Sequence, residues 1–458
     1  MSNATTIAEL LSPAPDPWQV FQSLTSRGLS RLLFLDSSQR HPMRGRYSYI
    51  AGEPHVWLEN SWSDQNLGDP FLRVAAQLAN RRAKSLPGLP PFQGGAGGVF
   101  GYELSHCVEE LPSAGPNWHS LPDFAVGIYL WVIAWDHLQD KAWIVVQPGG
   151  PSLNTIRNWM TTPIGSPGNR PSVVDLHPKL PALYPLRGQV SSNFDLRSFT
   201  HAVRQAIDYV HQGDCFQVNI AQTLFHPATC SNLELYERLR TRNPAPFSAY
   251  FDLGKGALLS ASPERFLKVS EGEVETRPIK GTRPRGSTEE EDAARAQELA
   301  NSAKDRAENV MIVDLLRNDI GRSCQYGSVQ VPKVCEIESF ETVHHMVSEV
   351  RGRLRPDQTP LHLLRNCFPG GSVTGAPKVR AMEIITELEK IPRGFYCGSL
   401  GFVGFDGTMD TNILIRTITS TQGWWSFPVG GGIVADSEPE KEYEETLHKA
   451  AGILNALK

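Results

Sequence analysis

The nine residues Arg277-Pro278-Ile279-Lys280-Gly281-Thr282-Arg283-Pro284-Arg285 place three arginines around one lysine. Pro278 and Pro284 restrict the backbone on both sides, and Gly281 lets it turn or approach a ligand closely. A lysine among like charges has a lowered pKa, which favours the neutral amine, a nucleophile. We therefore predict a catalytic role for Lys280, with a basic surface loop that binds nothing as the alternative.

A carboxylate lies sixteen residues before this lysine, in Ser262-Pro263-Glu264-Arg265-Phe266 at the start of a predicted strand. Two strands joined by a turn would bring Glu264 and Lys280 together. Glu264 would then serve as a general acid. The alternative is an ion pair between Glu264 and Arg265.

Two predicted helices carry acidic faces. Asp305 and Glu308 are three residues apart, and Glu442 and Glu445 repeat this spacing one turn before Lys449 on the last helix. Residues at this spacing are neighbours on one helix face. If the two helices face each other, the carboxylates converge, and oxygen ligands of this kind suit Mg²⁺. Solvated acidic faces are the alternative.

Two glycine-rich segments are candidate anion sites. Gly430-Gly431-Gly432 follows a predicted strand, and a turn of glycines there would let backbone N–H groups point at an anion. A flexible turn is the alternative. The segment Gly370–Lys378 superficially resembles a phosphate loop, but Ala376 and Pro377 break the G-x-x-x-x-G-K-[ST] spacing. We exclude nucleotide binding there, and retain the backbone as a candidate for holding a carboxylate.

Single side chains add further candidates. Arg416, predicted to lie within a strand over residues 412–420, suits a planar carboxylate because guanidinium forms two parallel hydrogen bonds. A structural ion pair is the alternative. Tyr396 follows a predicted helix, where a packing role is the alternative. His344 and His345 are adjacent and point to opposite faces of a strand, so we expect only one of them to face a ligand.

The pattern of elements predicts an α+β fold. Asp195 begins a predicted helix that Gly213 ends, and the glycines of residues 94–101 predict a strand or turn where backbones approach closely. Helices and strands mix without regular βαβ alternation. Residues 148–185 carry eight prolines, which predicts a linker and a boundary near residue 190. We therefore divide the chain into regions 1–190 and 191–458.

The composition is that of an ordinary globular protein, with 458 residues of which 40% are hydrophobic and 20% charged. A net charge of −5 argues against a nucleic-acid binder. No apolar run approaches the roughly 18 residues that cross a bilayer, and residues 1–13 carry no secretory signal. Seven cysteines without C-x-x-C spacing predict reduced thiols in the cytoplasm.

The sequence motifs quoted above, in this order along the chain, resemble those of the chorismate-utilising enzymes. That family's fold is a large composite antiparallel β-sandwich flanked by helices, as in anthranilate synthase component I. The resemblance is strong over residues 195–458 and weaker before them. Beyond the segments already quoted, the matching stretches are Gly213–Asn219, Ala307–Asn309, Asp314–Asp319, Ile415–Thr417, Gly430–Asp436 and Glu442–Ala450.

The resemblance implies roles residue by residue. Glu308, Glu445 and Glu442 correspond to Mg²⁺ ligands, with Asp305 in support. Glu264 corresponds to the acid that protonates the departing C4 hydroxyl. The substrate contacts that the resemblance implies are Gly281, Thr282, His345, Thr374, Gly375, Tyr396, Arg416, Gly430, Gly431, Gly432 and Lys449.

Within that family, the residue type at the position of Lys280 differs between members with different activities. Anthranilate-forming members usually carry alanine in this slot, whereas members that form 4-amino-4-deoxychorismate carry lysine. Gln217 stands where isochorismate and salicylate synthases carry a lysine that activates water, so water activation is disfavoured. The resemblance thus implies amination of chorismate at C4, for 4-aminobenzoate and folate biosynthesis, through a covalent Lys280 intermediate. Anthranilate formation is the alternative, and a non-catalytic subunit that kept the fold is a third possibility.

The resemblance also implies partners. No cysteine or serine lies in a G-x-C-x-G or G-x-S-x-G elbow, so no glutaminase nucleophile is visible. Ammonia would therefore come from a separate glutamine amidotransferase subunit in a heterodimer. Strands predicted over residues 32–38 and 46–51 resemble the segment that holds tryptophan in relatives, as inhibitor or structural ligand, which makes tryptophan a further expected ligand.

Overall fold

The structure, a computed structural model, describes residues 5–41, 44–64, 68–115, 117–161, 180–340 and 343–458. The central part of the predicted linker, residues 162–179, lies outside this described part. No helix within the described ranges combines the length and the apolar character needed to cross a membrane.

Local capping signals define several helices. Asp195 accepts a hydrogen bond from the Ser198 backbone N–H at 2.7 Å, and Gly213 ends the same helix with a φ of 85°. The helix predicted between these two residues is confirmed. In chain order the helices are α1 (Pro17–Ser26), α2 (Pro70–Ala79), α3 (Leu153–Met160), α4 (Leu196–Gln212), α5 (Asn232–Arg242), α6 (Glu289–Asn301), α7 (Ala303–Gly321), α8 (Pro360–Cys367), α9 (Lys378–Glu389) and α10 (Pro439–Leu457).

The strands are distributed over the whole described chain. In order they are β1 (Ile7–Leu11), β2 (Leu33–Asp36), β3 (Tyr47–Ala51), β4 (Val56–Asn60), β5 (Gly95–Phe100), β6 (Phe124–Tyr129), β7 (Trp131–Asp136), β8 (Lys141–Val146), β9 (Tyr184–Pro185), β10 (Ser191–Ser192), β11 (Gln217–Pro227), β12 (Phe247–Asp252), β13 (Gly256–Ser262), β14 (Arg265–Ser270), β15 (Glu273–Thr276), β16 (Ile279–Pro284), β17 (Gln330–Ser339), β18 (Val343–Arg353), β19 (Gly375–Ala376), β20 (Ser399–Gly404), β21 (Met409–Ile413), β22 (Thr417–Thr421) and β23 (Trp424–Ile433).

These strands form two sheets. The first follows the order β1-β8-β7-β3-β2-β12-β13-β22-β23-β11-β10-β9, with β19 also paired to β11. The second follows the order β16-β18-β15-β14-β21-β20-β5-β6-β4, with β17 also paired to β18. The facing sides of the sheets enclose one apolar layer, in which Leu33 and Phe251 of the first sheet meet Leu400 and Phe402 of the second. This arrangement confirms the α+β class and the antiparallel sandwich.

The glycines of β5 permit a close approach between strands and sheets. A Cβ added to Gly97 would lie 2.5 Å from Cδ2 of Leu33 in the opposite sheet. A Cβ on Gly98 would lie 2.2 Å from the carbonyl oxygen of Ala125 in β6. Side chains cannot fit at these positions, so the prediction of a strand with close backbone approach is confirmed.

Helices cover the outer faces of the sandwich. Apolar residues of α2, α7 and α8 pack in a core with the second sheet, and those of α1, α5 and α10 pack in a core with the first. Strands from both sides of residue 190 pair within each sheet, as β2 does with β12 and β5 with β20. The division near residue 190 stays a prediction, and the two regions share both sheets.

Candidate active site

Two of the points at which the chain crosses between the two sheets lie next to each other. Glu264 lies where β13 of the first sheet leads into β14 of the second, and Arg416 lies where β21 leads into β22. The crossings hydrogen-bond to each other, since Ile413 N donates to Glu264 O and Ala261 N donates to Arg416 O, both at 3.0 Å. The prediction of one strand over residues 412–420 was wrong, because the change of sheet breaks it and leaves Arg416 with a φ of 51°.

Lys280 lies on β16 next to a β-bulge. Lys280 pairs with Met346 and Thr282 with His345, so Gly281 is the extra residue of the bulge. Gly281 has a φ of 75°, in the left-handed region that favours glycine. A Cβ added there would lie 2.8 Å from Cγ of Asp305 on α7. The glycine therefore lets this strand lie directly against α7.

We predict that Gly281→Ala lowers both stability and turnover. The left-handed backbone costs an alanine about 1–2 kcal/mol, and the new methyl group would lie 2.8 Å from atoms of Asp305 on α7 and Leu299 on α6. Gly272→Ala is the matched control, since Gly272 has a φ of 79° with no atom within 4 Å of an added Cβ. Urea unfolding should show a loss for both variants, and kcat should fall about tenfold only for Gly281→Ala. Equal kcat values would contradict this role of the bulge.

Lys280 and Glu264 meet at Ser372, in the 3-10 turn Gly371–Val373. Lys280 Nζ donates to the backbone oxygen of Ser372 at 3.4 Å, and the Ser372 hydroxyl donates to Glu264 Oε1 at 3.2 Å. The predicted proximity of Lys280 and Glu264 is thus present. Sequence reasoning did not select Ser372, although it lies in the glycine-rich segment 370–378 that was retained as a candidate.

Burial shifts both catalytic candidates toward their neutral forms. It lowers the pKa of Lys280, and the positive charge of Lys449 lowers this pKa further. The negative charges of Glu264 and Glu308 act in the opposite direction. Burial raises the pKa of Glu264, against the positive charge of Lys280 and the hydrogen bond from Ser372. A neutral amine and a protonated carboxyl are the forms that a nucleophile and a general acid require.

His345 faces Thr282 across the bulge. The Thr282 hydroxyl lies 2.9 Å from His345 Nδ1. Burial, with smaller contributions from the charges of Arg44 and Arg416, lowers the pKa of His345 to about 4. His345 is therefore neutral at physiological pH. Sequence reasoning also missed Arg44, from the segment between β2 and β3, whose charge acts on His345 and Glu264.

Two predicted substrate contacts, Thr374 and Gly375, follow Ser372 in the chain. The Thr374 hydroxyl donates to Gly370 O at 3.1 Å, within its own turn. Gly375 packs so closely on β11 that an added Cβ would lie 2.2 Å from Gln217 O. Their contact with a substrate stays a prediction.

Tyr396 is buried behind the crossings. Its ring lies 5.5 Å from the Arg393 guanidinium carbon, and Cys397 N donates to Leu414 O at 2.9 Å in the adjoining backbone. Burial raises the pKa of Tyr396 well above its usual value, so the phenol stays protonated. Its contact with a substrate also stays a prediction.

The acidic candidates lie on α7 and α10. Burial raises the pKa of Glu308 and of Glu442, and the charge of Glu445 adds to both shifts. Glu445 itself forms an ion pair with Lys449 at 2.6 Å. Across the described ranges, no group of three or more His, Cys, Asp or Glu side chains is arranged to hold a metal ion. Glu442 Oε2 and Glu445 Oε1 lie 3.2 and 3.5 Å from the position of a Cβ built on Gly431. Carboxylate oxygens are the type of ligand that suits Mg²⁺.

The prediction of a turn at Gly430-Gly431-Gly432 was wrong. The three glycines lie inside β23 and pair with Ala221, Ile220 and Asn219 of β11, which keeps them extended. A Cβ on Gly431 would lie 3.2 Å from Glu442 Oε2 and 3.5 Å from Lys449 Nζ. Lys449 Nζ donates to Gly430 O at 2.9 Å. The glycines therefore let the charged side chains of α10 lie directly against β23.

Comparison with known proteins points to one family. The family described as chorismate binding enzyme matches residues 33–455. Aminodeoxychorismate synthase component 1 of Klebsiella aerogenes is 40% identical, over 98% of this chain and 100% of that protein. The protein of the same name from Escherichia coli is 45% identical over 80% of this chain and 78% of its own. Anthranilate synthase component 1 of Thermus thermophilus is 42% identical over 81% and 79%.

Solved structures support the same assignment. Anthranilate synthase component I from Streptococcus pneumoniae superposes with a TM-score of 0.75 at 31% identity, covering 90% of this chain and 93% of that one. The menaquinone-specific isochorismate synthase of Escherichia coli, at 17% identity and a TM-score of 0.71 over 99% and 96%, shares the fold. The sequence, the sandwich and the matched length together show that this chain belongs to the family of chorismate binding enzymes.

Proposed function

We propose that this chain converts chorismate and ammonia to 4-amino-4-deoxychorismate, for 4-aminobenzoate and folate biosynthesis. The observation that carries the proposal is the contact of Lys280 and Glu264 with one residue, Ser372. The relatives named aminodeoxychorismate synthase component 1, at 40% and 45% identity, support it.

The chemistry uses Lys280 as a neutral amine and Glu264 as a protonated acid, the forms toward which burial shifts their pKa values. Lys280 Nζ forms a bond to C2 of chorismate while the C4–O bond breaks, and Glu264 gives its proton to the departing hydroxyl, which leaves as water. Ammonia then bonds to C4, and the C2–Nζ bond breaks so that Lys280 leaves as a neutral amine. The new C4 ammonium loses one proton, which restores the Glu264 carboxyl.

Anthranilate formation is the second candidate, because a relative with that name is 42% identical. One direct displacement by ammonia at C2, with loss of the C4 hydroxyl as water, gives a 2-amino intermediate without any need for Lys280. Loss of its enolpyruvyl group as pyruvate then gives anthranilate. Incubation with chorismate, Mg²⁺ and ammonium, followed by chromatography with fluorescence detection, separates the two. We expect the 4-amino product. Fluorescent anthranilate formed directly would contradict the proposal, and no loss of chorismate would favour a non-catalytic subunit.

The ammonia donor we propose is a separate glutamine amidotransferase subunit. The relatives' designation as component 1 supports a second component. Glutamine should then support the reaction only when that subunit is added, whereas ammonium should support it alone.

We also propose the cytoplasm as the compartment, in keeping with seven free thiols.

Mg²⁺ is the cofactor we propose, held by Glu308, Glu442 and Glu445. The ion would neutralise a substrate carboxylate. We predict that a chelator abolishes turnover and that Mg²⁺ restores it. Glu308→Gln should raise the Mg²⁺ concentration for half-maximal rate at least tenfold, whereas Glu444→Gln, on the exposed side of α10, should not. Full activity of metal-free protein would contradict this assignment.

Tryptophan is a further ligand that we propose. A cavity of about 440 Å³ lies beside the strand pair predicted to hold it, with Leu35, Tyr47, Tyr49 and Phe247 among its lining residues. Aromatic walls suit an indole ring. Titration calorimetry should show saturable binding of L-tryptophan that Tyr47→Ala weakens. Absence of binding at millimolar tryptophan would contradict it.

A further inference from the structure

Hydrogen bonds to the residues around Ser372 fix the position of its backbone. Arg393, which is 2% exposed in its side chain, donates from Nη1 to Val373 O at 3.1 Å. Lys378 Nζ donates to Asp319 Oδ2 at 2.7 Å and so ties the end of the segment to α7. Both bonds hold the chain after Ser372, and Lys378 Nζ also donates to Cys367 O, before Ser372, at 2.9 Å. The groups that Ser372 contacts are therefore held relative to a fixed point.

The two contacts of Ser372 use different groups of the residue. Its backbone oxygen can only accept, so Lys280 must donate one N–H to it. A neutral amine that donates one N–H keeps its lone pair directed elsewhere, free for attack. The Ser372 hydroxyl donates to an ionised Glu264 and can accept when Glu264 is protonated. One residue thus orients both the nucleophile and the acid.

We propose that Ser372 is a positioning residue for the reaction, which sets the orientation of the Lys280 amine through its carbonyl and that of the Glu264 carboxyl through its hydroxyl. This inference rests on the proposed function. The hydroxyl is the part that substitution can remove, because the carbonyl belongs to the backbone. Loss of the hydroxyl leaves Lys280 oriented and frees only Glu264.

The charges around Glu264 fix the sign of the expected pH effect. Lys280, Arg44 and Arg416 each favour the ionised carboxylate, as does the hydrogen bond from Ser372, while the Cys397 thiol lies within range of the same charge. A donated hydrogen bond stabilises the ionised form, so its removal raises the pKa of Glu264. Loss of the hydroxyl should therefore shift only the limb of the pH–rate profile that reports Glu264, and shift it toward higher pH.

Threonine and valine have side chains of the same shape, so substituting each for Ser372 tests the role of the hydroxyl. Ser372→Thr keeps it, and Ser372→Val replaces it with a methyl group. We expect the valine variant to lose kcat about 10- to 100-fold, with the KM for chorismate within threefold of the original. One limb of its kcat/KM profile should move up by about half to one pH unit. The threonine variant should keep the original profile and most of kcat.

The outcomes decide between a positioning and a merely structural role. Equal kcat and equal pH profiles for the threonine and valine variants would overturn the proposal, as would an unshifted profile in a slow valine variant. Ser372→Ala, which adds no bulk, should behave like valine. If the unsubstituted protein forms anthranilate, the proposed function fails. If it forms the 4-amino product and the hydroxyl has no effect, only this inference fails.

Discussion

Replacing Lys280 by alanine should abolish the 4-amino product, with a loss of roughly 10³-fold or more in kcat/KM, as expected when a covalent nucleophile is removed. Without the amine, ammonia can still attack C2 of bound chorismate as the C4 hydroxyl leaves. The residual product should therefore shift toward anthranilate. Chromatography of the products from chorismate, Mg²⁺ and ammonium measures both the rate and this shift.

Two further lysine variants sharpen the result. Lys280→Arg keeps the positive charge but offers no neutral amine, so it should be as inactive as alanine in forming the 4-amino product. Lys255→Ala, at an exposed turn between β12 and β13, should keep the original activity. A Lys280→Ala protein that makes the 4-amino product within tenfold of the original rate would contradict the covalent route.

Replacing Glu264 by glutamine should slow the reaction about 10²- to 10⁴-fold, the usual contribution of a general acid. Glutamine has the shape of glutamate and can still accept the bond from the Ser372 hydroxyl, but it has no acidic proton for the departing C4 hydroxyl. We expect the KM for chorismate to change by only a few-fold. Single-turnover measurement of the covalent adduct should show slow formation, because the acid acts in that step.

The control for this acid is Glu271→Gln, in the exposed turn between β14 and β15. It removes one carboxylate from the same part of the chain without touching the site. Its rate should match that of the original protein. If Glu264→Gln formed the adduct as fast as the original protein, another group would have to supply the proton.

Local signals in the sequence were sufficient to predict several helices and strands of the fold. Capping by Asp195 and the left-handed Gly213 define α4, and both are short-range effects that do not depend on the rest of the chain. The close packing at Gly97 and Gly98 could also be predicted, because only glycine permits it. The facing of two sheets followed from the family resemblance rather than from these patterns.

The errors arose where long-range pairing outweighs local preference. Glycine disfavours strands, yet Gly430-Gly431-Gly432 stays extended because each residue pairs with β11. Arg416 lies within an apolar run that resembles one strand, but the chain changes sheets there. No periodicity within the chain reports that change.

Ser372 shows a different limit of sequence reasoning. It contacts Glu264 and Lys280 across separations of 108 and 92 residues. Its neighbours in sequence suggested a backbone site for an anion, and nothing local identifies its hydroxyl as the partner of a distant carboxyl. Such contacts appear only when the crossings between the sheets are known.

The most direct test of the covalent route is peptide mass spectrometry after incubation with chorismate and Mg²⁺ in the absence of ammonia. Ammonia is needed to release the intermediate, so its absence should let the adduct accumulate. We predict a mass gain equal to chorismate minus one water, confined to the peptide that contains Lys280 and removed by added ammonium. An adduct on another residue, or 4-amino product formed with no adduct at any time, would contradict the account.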